Sequence, residues 1–203
     1  MSADSEKIID IYQRHAQTWA QARRQESTLY ERSWLDRFSA LIPPGQSILD
    51  VGCGPGEPIA TYLAQCGHAV TGVDSSPAMI AMFQQRLPSQ HALVADMRTL
   101  ALAETFHGIL AWDSFFHLDH KAQRNMFPIF RAHAAPCAPL MFTSGPAHGE
   151  VIGQLEGDPL FHSSLDPTDY HDLLDRHGFT VVAHVVADPA CFGRTIWLAQ
   201  LRP

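Results

Sequence analysis

Nine residues, Asp50 to Pro58 (D-V-G-C-G-P-G-E-P), constrain this chain more than any other stretch. An apolar run, Ser47-Ile48-Leu49, leads into them, and a helical pattern beginning near Glu57 leads out. A strand that turns through closely spaced glycines into a helix gathers backbone N–H groups and a positive helix end at one point. Such a turn opens an α/β unit and suits a ligand with negative or electron-rich groups. Which ligand depends on what surrounds it.

The rest of the chain supplies those surroundings. Residues 6–25 place Ile8, Ile11, Tyr12, His15, Ala16 and Trp19 on one helical face. A second helical pattern carries Trp34, Leu35, Phe38, Leu41 and Ile42, and Pro43-Pro44-Gly45 ends it. Trp19 and Trp34 read as helix-packing residues. Alternation then begins, with strands expected at Ser47–Val51, His68–Val73, Ala92–Ala95, Phe106–Trp112 and Leu140–Thr143. Helices are expected from Glu57 to Cys66, from Pro77 behind an N-cap Ser76, and from Asp119 to Ala134. Residues 145–165 show no clear periodicity and read as an irregular segment. A last helix follows Asp166-Pro167. The runs Phe179–Val186 and Thr195–Leu201 are joined too closely for a crossover helix, so they form an antiparallel hairpin. The expected fold class is α/β: a Rossmann-like, seven-stranded, mostly parallel sheet with an antiparallel C-terminal hairpin and helices on both faces. An all-helical N-terminal segment (1–45) precedes the core (46–203).

Ligands of such sheets sit beyond the carboxyl ends of the strands, where the topology reverses. Strands one to four end in Asp50, Asp74, Asp96 and Asp113. Four acids on one rim suit a ligand rich in hydroxyl, amino and ammonium donors. The dinucleotide fingerprint G-x-G-x-x-G needs a third glycine where this chain has Glu57, and Asp50 would repel a pyrophosphate.

The totals narrow the partners. A net charge of −7 over 203 residues, without a clustered basic face, argues against nucleic acid. No apolar run approaches the roughly 20 residues of a membrane span. The polar, acidic N-terminus is not that of a signal peptide. Four cysteines without paired spacing fit reduced thiols, hence a cytoplasmic location. A monomer or homodimer is expected.

The stretches I-L-D-V-G-C-G-P-G, V-T-G-V-D-S-S-P, V-A-D-M-R-T-L and I-L-A-W-D-S-F-F-H-L, in this order, resemble the motifs of class I S-adenosylmethionine (SAM)-dependent methyltransferases. The resemblance covers residues 46 to about 145, and the closing helix and hairpin resemble the end of the same fold. A small-molecule acceptor is expected from segment 145–165, where Leu160 and Phe161 mix with polar groups; the resemblance implies SAM as cofactor and S-adenosylhomocysteine (SAH) as product. It places Gly52, Cys53 and Gly54 against the methionine part and Asp50 on its ammonium group or the loop. It puts Asp74 on the ribose hydroxyls, Ser75 and Met79 beside the adenine, and Asp96 and the Met97 N–H on its polar edge. Trp112 and Asp113 would lie under the sulfonium. Tyr12, Arg14 and Trp19 are lid candidates.

Asp113 and His117 are candidate bases, since an acceptor hydroxyl or ammonium must lose a proton. His148, Glu150 and His162 are candidate substrate contacts from the irregular segment. No metal is expected, because the chain has neither a zincin helix motif nor a Cys-x-x-Cys pair. Two other readings stand beside this one: a SAM-binding protein without methyl transfer, and a nicotinamide-dependent oxidoreductase.

Overall fold

A computed structural model of the chain describes residues 3–25 and 28–203. The expected N-terminal segment 1–45 therefore includes four residues outside the described ones.

Helices α1 (Ala3–Gln25) and α2 (Arg32–Ser39) come first. The core then runs β1 (Ser47–Val51), α3 (Ile59–Gln65), β2 (Ala69–Asp74), α4 (Pro77–Arg86), β3 (His91–Val94), β4 (Gly108–Ala111), α5 (His120–His133) and β5 (Pro139–Ser144). It continues with β6 (Gly149–Leu155), β7 (Asp158–Ser164), α6 (Pro167–Arg176), β8 (Phe179–Asp188) and β9 (Arg194–Leu201). Seven strands form one sheet in the order β3-β2-β1-β4-β5-β9-β8. The first five are parallel, and β9 pairs antiparallel with both β5 and β8. The fold class matches the expectation.

Side-chain alternation divides the core. Leu49 and Val51 of β1 join Ile109, Phe142 and Trp197 under α5 and α6. Ile48 points the other way, with Val70, Leu110 and Met141, into a cluster closed by Trp34, Leu35 and Phe38 of α2 and Leu63 of α3. Trp34 is thus a packing residue, as read. Burial on both faces explains why the central strands are nearly continuous apolar runs.

One expectation fails. Residues 145–165 are not irregular: β6 and β7 form a separate antiparallel hairpin, with Gly149 opposite Ser164 and Leu155 opposite Asp158. Glu156 and Gly157 turn it with φ of 50° and 86°, the two left-handed residues that a tight hairpin turn demands. Its far end is tied to the core. The Gln123 amide, fully buried on α5, donates to the carbonyls of Leu118 and Ser163 and accepts from the Tyr170 hydroxyl of α6 at 2.6 Å.

The chain leaves β3, at one edge of the sheet, and re-enters at β4 beside β1. This reversal puts the ends of β1 and β4 side by side and opens a crevice between them.

Candidate functional site

The glycine turn is built from Gly52, Gly54 and Gly56, with φ of 78°, 53° and 80°. At Gly52 a side chain is excluded twice, by the positive φ and by Ser114, whose Cβ lies 2.2 Å from where a Cβ would stand. Ser114 is held there by donating its hydroxyl to the Val51 carbonyl at 2.6 Å.

The N–H groups of this turn are not bare. Gly52 and Cys53 both donate to the Val73 carbonyl, at 2.7 and 3.1 Å, and Gly54 donates to Asp74 Oδ2 at 2.9 Å. Gly56 donates back to Cys53. An anion cradle needs free donors, and these are spent tying β1 to β2. The general anion-site expectation is corrected accordingly.

Asp74 is the hub of that tie, since its other oxygen accepts from the Ser76 N–H at 2.8 Å. Ser76 in turn caps α4 by accepting from Met79 N–H. Burial raises the Asp74 carboxyl above the ordinary aspartate range, against the pull of its backbone donors. Asp50 is 3% exposed, and burial, then the nearby Asp74 charge, pushes its carboxyl up to about 7. No cation is paired with either carboxylate among the described residues. The Cys53 thiol is also pushed well up by burial, so it is an inert wall rather than a nucleophile.

Asp96 and Asp113 differ. Burial of Asp96 raises its carboxyl, but Arg98 outweighs this, bonding both oxygens at 2.6–3.0 Å, and the net direction is down. Asp113, at φ 47°, is gripped by Arg194, whose Nε lies 3.0 and 2.8 Å from its two oxygens. Its N–H donates to Thr143 Oγ1. A carboxylate clamped in this way is not a free base.

His117 is not poised as a base either. It is buried; Nδ1–H donates to the Phe161 carbonyl at 2.8 Å, which leaves Nε2 to accept from the Tyr12 hydroxyl at 2.9 Å. Burial drives the imidazole down to about 3, so it is neutral near pH 7. In this structure Asp113 is thus paired with Arg194, and the His117 imidazole is desolvated and hydrogen-bonded at both nitrogens.

All of the cofactor candidates, with Asp113 and His117, border one cavity of about 1080 Å³ counted to its open mouth. The substrate candidates do not. His148 stacks on His120 at 4.4 Å between ring centres, and Glu150 lies 3.9 Å from the same histidine. The His162 ring is 4.8 Å from that of His117 but outside the lining. The reason is the unforeseen hairpin, which meets the cavity-lining His117 through a backbone carbonyl, that of Phe161, rather than through these side chains.

Helix α1 covers the opening through four consecutive residues. Tyr12 reaches His117, and Gln13 Oε1 accepts from the Ser76 hydroxyl and the Ala78 N–H at the start of α4. Arg14 and His15 both reach Asp158 in β7 at 2.7 Å. Trp19, read as a packing residue, lines the cavity beside Gly54.

The sequence reading also missed Arg23, Glu31, Arg98 and Arg194. Arg23 pairs with Glu31, and both line the cavity. The guanidinium carbons of Arg23 and Arg194 stand 4.5 and 4.6 Å from the centre of the Tyr30 ring. Only the spacing of Asp96 and Arg98 was a readable signal; the other residues are brought together by topology. No group of three or more metal-type ligands occurs among the described residues, and no helix there is long and apolar enough to cross a membrane.

Comparison with known proteins shows what this geometry is similar to. Residues 48–136 match the model of a methyltransferase domain. The chain is 34% identical over 110 residues to malonyl-[acyl-carrier protein] O-methyltransferase of Pseudescherichia vulneris, covering 53% of this chain and 41% of that protein. It is 30% identical over 149 residues to trans-aconitate 2-methyltransferase of Klebsiella pneumoniae (strain 342), covering 67% and 57%. The chain thus spans about two fifths to just over half of these relatives. Among solved structures, the SAM-bound amino pentose methyltransferase CalS10 of Micromonospora echinaspora superposes with a TM-score of 0.72 at 20% identity, over 90% of this chain and 96% of that one.

Proposed function

We propose that this chain, whose fold and partial domain match support a place among the class I methyltransferases, binds SAM in the cavity at the β1/β4 switch point and methylates a small-molecule acceptor. One observation carries the reading. Asp50 and Asp74 are buried at the strand ends without a cation, while the glycine turn beside them has spent its N–H groups. A pyrophosphate would meet two acids and no free donors there, which counts against a nicotinamide cofactor. A ligand with an ammonium group and a ribose diol meets what it needs.

The residues present fit SAM. Each Asp74 oxygen has accepted one backbone N–H and retains capacity for a hydroxyl. Asp50, unpaired and pushed up to about 7, gains an ion partner in an ammonium group. Met79 and Ser75 line the wall expected to face the adenine, with the Met97 backbone beside them. The Asp96 carboxylate already holds Arg98, so its part toward adenine is to set the 3-10 turn that carries Met97.

When bound, SAM supplies an electrophilic methyl group on a positively charged sulfur. What the chain contributes is placement and exclusion of water. Gly52 lets backbone come close, Trp112 and Asp113 wall the end of β4, and Tyr12 closes the opening from α1. The His117 imidazole holds the Tyr12 hydroxyl by accepting a hydrogen bond from it, a positioning role. We assign α1 and α2 as the lid of the core on these contacts.

The acceptor is a small molecule; the relatives act on malonyl-[acyl-carrier protein] and trans-aconitate, so neither acceptor nor atom follows from them. The test is a labelled-methyl assay with pooled small metabolites. Label should appear in an extractable product with the native chain and be lost with Asp74→Ala. Consumption of SAM without a methylated product would instead favour the non-methylating reading.

A further inference from the structure

Two buried polar atoms in this cavity have no hydrogen-bond partner: Glu31 Oε2 and Trp112 Nε1. Their residues are 1% and 5% exposed, and both line the cavity. Native structures leave few such groups, and one on a cavity-lining side chain is open to a ligand that fills the cavity. The two atoms are complementary. A carboxylate oxygen only accepts, and an indole N–H only donates.

The surrounding charges narrow what can fill the gap. The other Glu31 oxygen is taken by Arg23, and Asp113, next to Trp112, is taken by Arg194. Tyr30 lies between the two guanidinium groups, joining both ion pairs into one network. The wall is therefore neutral overall. Its cations are occupied, and its open atoms are one anionic acceptor and one neutral donor. A polycarboxylate would set its charge against Glu31 with no free cation to receive it.

We infer that Glu31 Oε2 and Trp112 Nε1 form the polar contacts of the methyl-acceptor subsite, and that the subsite takes an amine- or hydroxyl-bearing compound that also carries a hydrogen-bond acceptor. An N–H or O–H of the acceptor donates to Glu31, and an oxygen or nitrogen of it accepts from Trp112. Glu31 sits at the N-terminal end of α2 and makes no hydrogen bond to the glycine turn or Asp74. It is assigned here as a specificity-determining residue. The proposal rests on the reading of the cavity as a SAM site, with Trp112 at the junction of the two halves.

The test uses the full chain saturated with SAH and ligand-observed NMR with two probe sets. One set is ethanolamine, serinol, tyramine and glucosamine; the other is malonate, tricarballylate and citrate. The first set should contain binders that weaken about tenfold or more in Glu31→Gln, where an amide N–H can replace the accepting oxygen. SAH affinity, measured in parallel, should stay within about twofold, because no cofactor contact is lost. Trp112→Phe, lacking the indole N–H, should also weaken those binders. Preference of the native protein for the carboxylates, or no binding from the first set, would overturn the proposal without any variant. Unchanged binding in Glu31→Gln would overturn it too. Failure of the native chain to bind SAH would instead sink the cofactor reading.

Discussion

The four aspartates at the strand ends look alike in the sequence and divide into two pairs in the fold. Asp50 and Asp74 are buried and have no cation, and both carboxyls are pushed up. Asp96 and Asp113 are half-buried and held by Arg98 and Arg194. The first pair stores an unfavourable charge that a cationic, hydroxyl-rich ligand relieves. The second has already been satisfied by the protein and so shapes the backbone around the ligand. Position on the rim therefore does not decide whether an acid is left free for a ligand; what decides it is whether the chain supplies a cation.

The largest effect should come from Asp74→Ala. It removes the proposed ribose contacts and the anchor for the Gly54 and Ser76 N–H groups together. With charge-assisted bonds contributing about 1.5–3 kcal/mol each, SAM affinity should drop about 100-fold or more in a calorimetric titration.

Asp50→Asn should weaken SAM binding by about tenfold to a hundredfold and yet stabilise the ligand-free protein. The folded carboxyl titrates near 7 against 3.8 ordinarily, so above about pH 7 its ionisation costs roughly 4 kcal/mol at most. As pH falls the folded state takes up the proton first, and the cost fades to nothing near pH 4. Denaturant midpoints should thus favour the variant most at pH 8, with the gap closing toward pH 4. In the native protein the same group makes SAM affinity rise as pH climbs through about 7. An asparagine variant no more stable than native at pH 8 would erase the distinction between the two pairs.

His117 gives the opposite dependence. Its folded value near 3 lies below the ordinary 6.5, so its contribution is neutral above pH 6.5. Below that it costs about 1.4 kcal/mol per pH unit down toward 3, because the unfolded chain takes the proton first. The acid sensitivity hidden by Asp50 in the native protein should emerge in Asp50→Asn. At saturating SAM, the pH profile of turnover should show no ascending limb near 6.5 that disappears in His117→Gln. The smallest effect belongs to Arg98→Ala, which breaks a partly exposed pair and should change SAM affinity less than about fivefold.

Much of this was legible before the fold was seen. The β1 turn, the Asp-ended strands and the terminal hairpin are local patterns, and they led to the cavity and its cofactor wall. The β6–β7 hairpin was not, because consecutive exposed apolar residues, Val151 and Ile152, spoil the alternation that marks a half-buried strand. Its Glu156-Gly157 turn was the overlooked signal. The proposed acceptor wall was hidden for another reason. Arg194 meets Asp113 across 81 residues because β9 inserts beside β5, and Glu31 meets Arg23 where α1 and α2 approach each other. No spacing rule encodes either meeting. His148 and Glu150 drew attention by residue type alone, and the hairpin pairs them with His120 instead.

The most direct test of the central claim is a calorimetric titration of the full chain at pH 8 with SAM, SAH and NADH. The account predicts that SAM and SAH bind at about micromolar concentration and that Asp74→Ala abolishes both, with NADH silent. Micromolar NADH binding without SAM binding would contradict it.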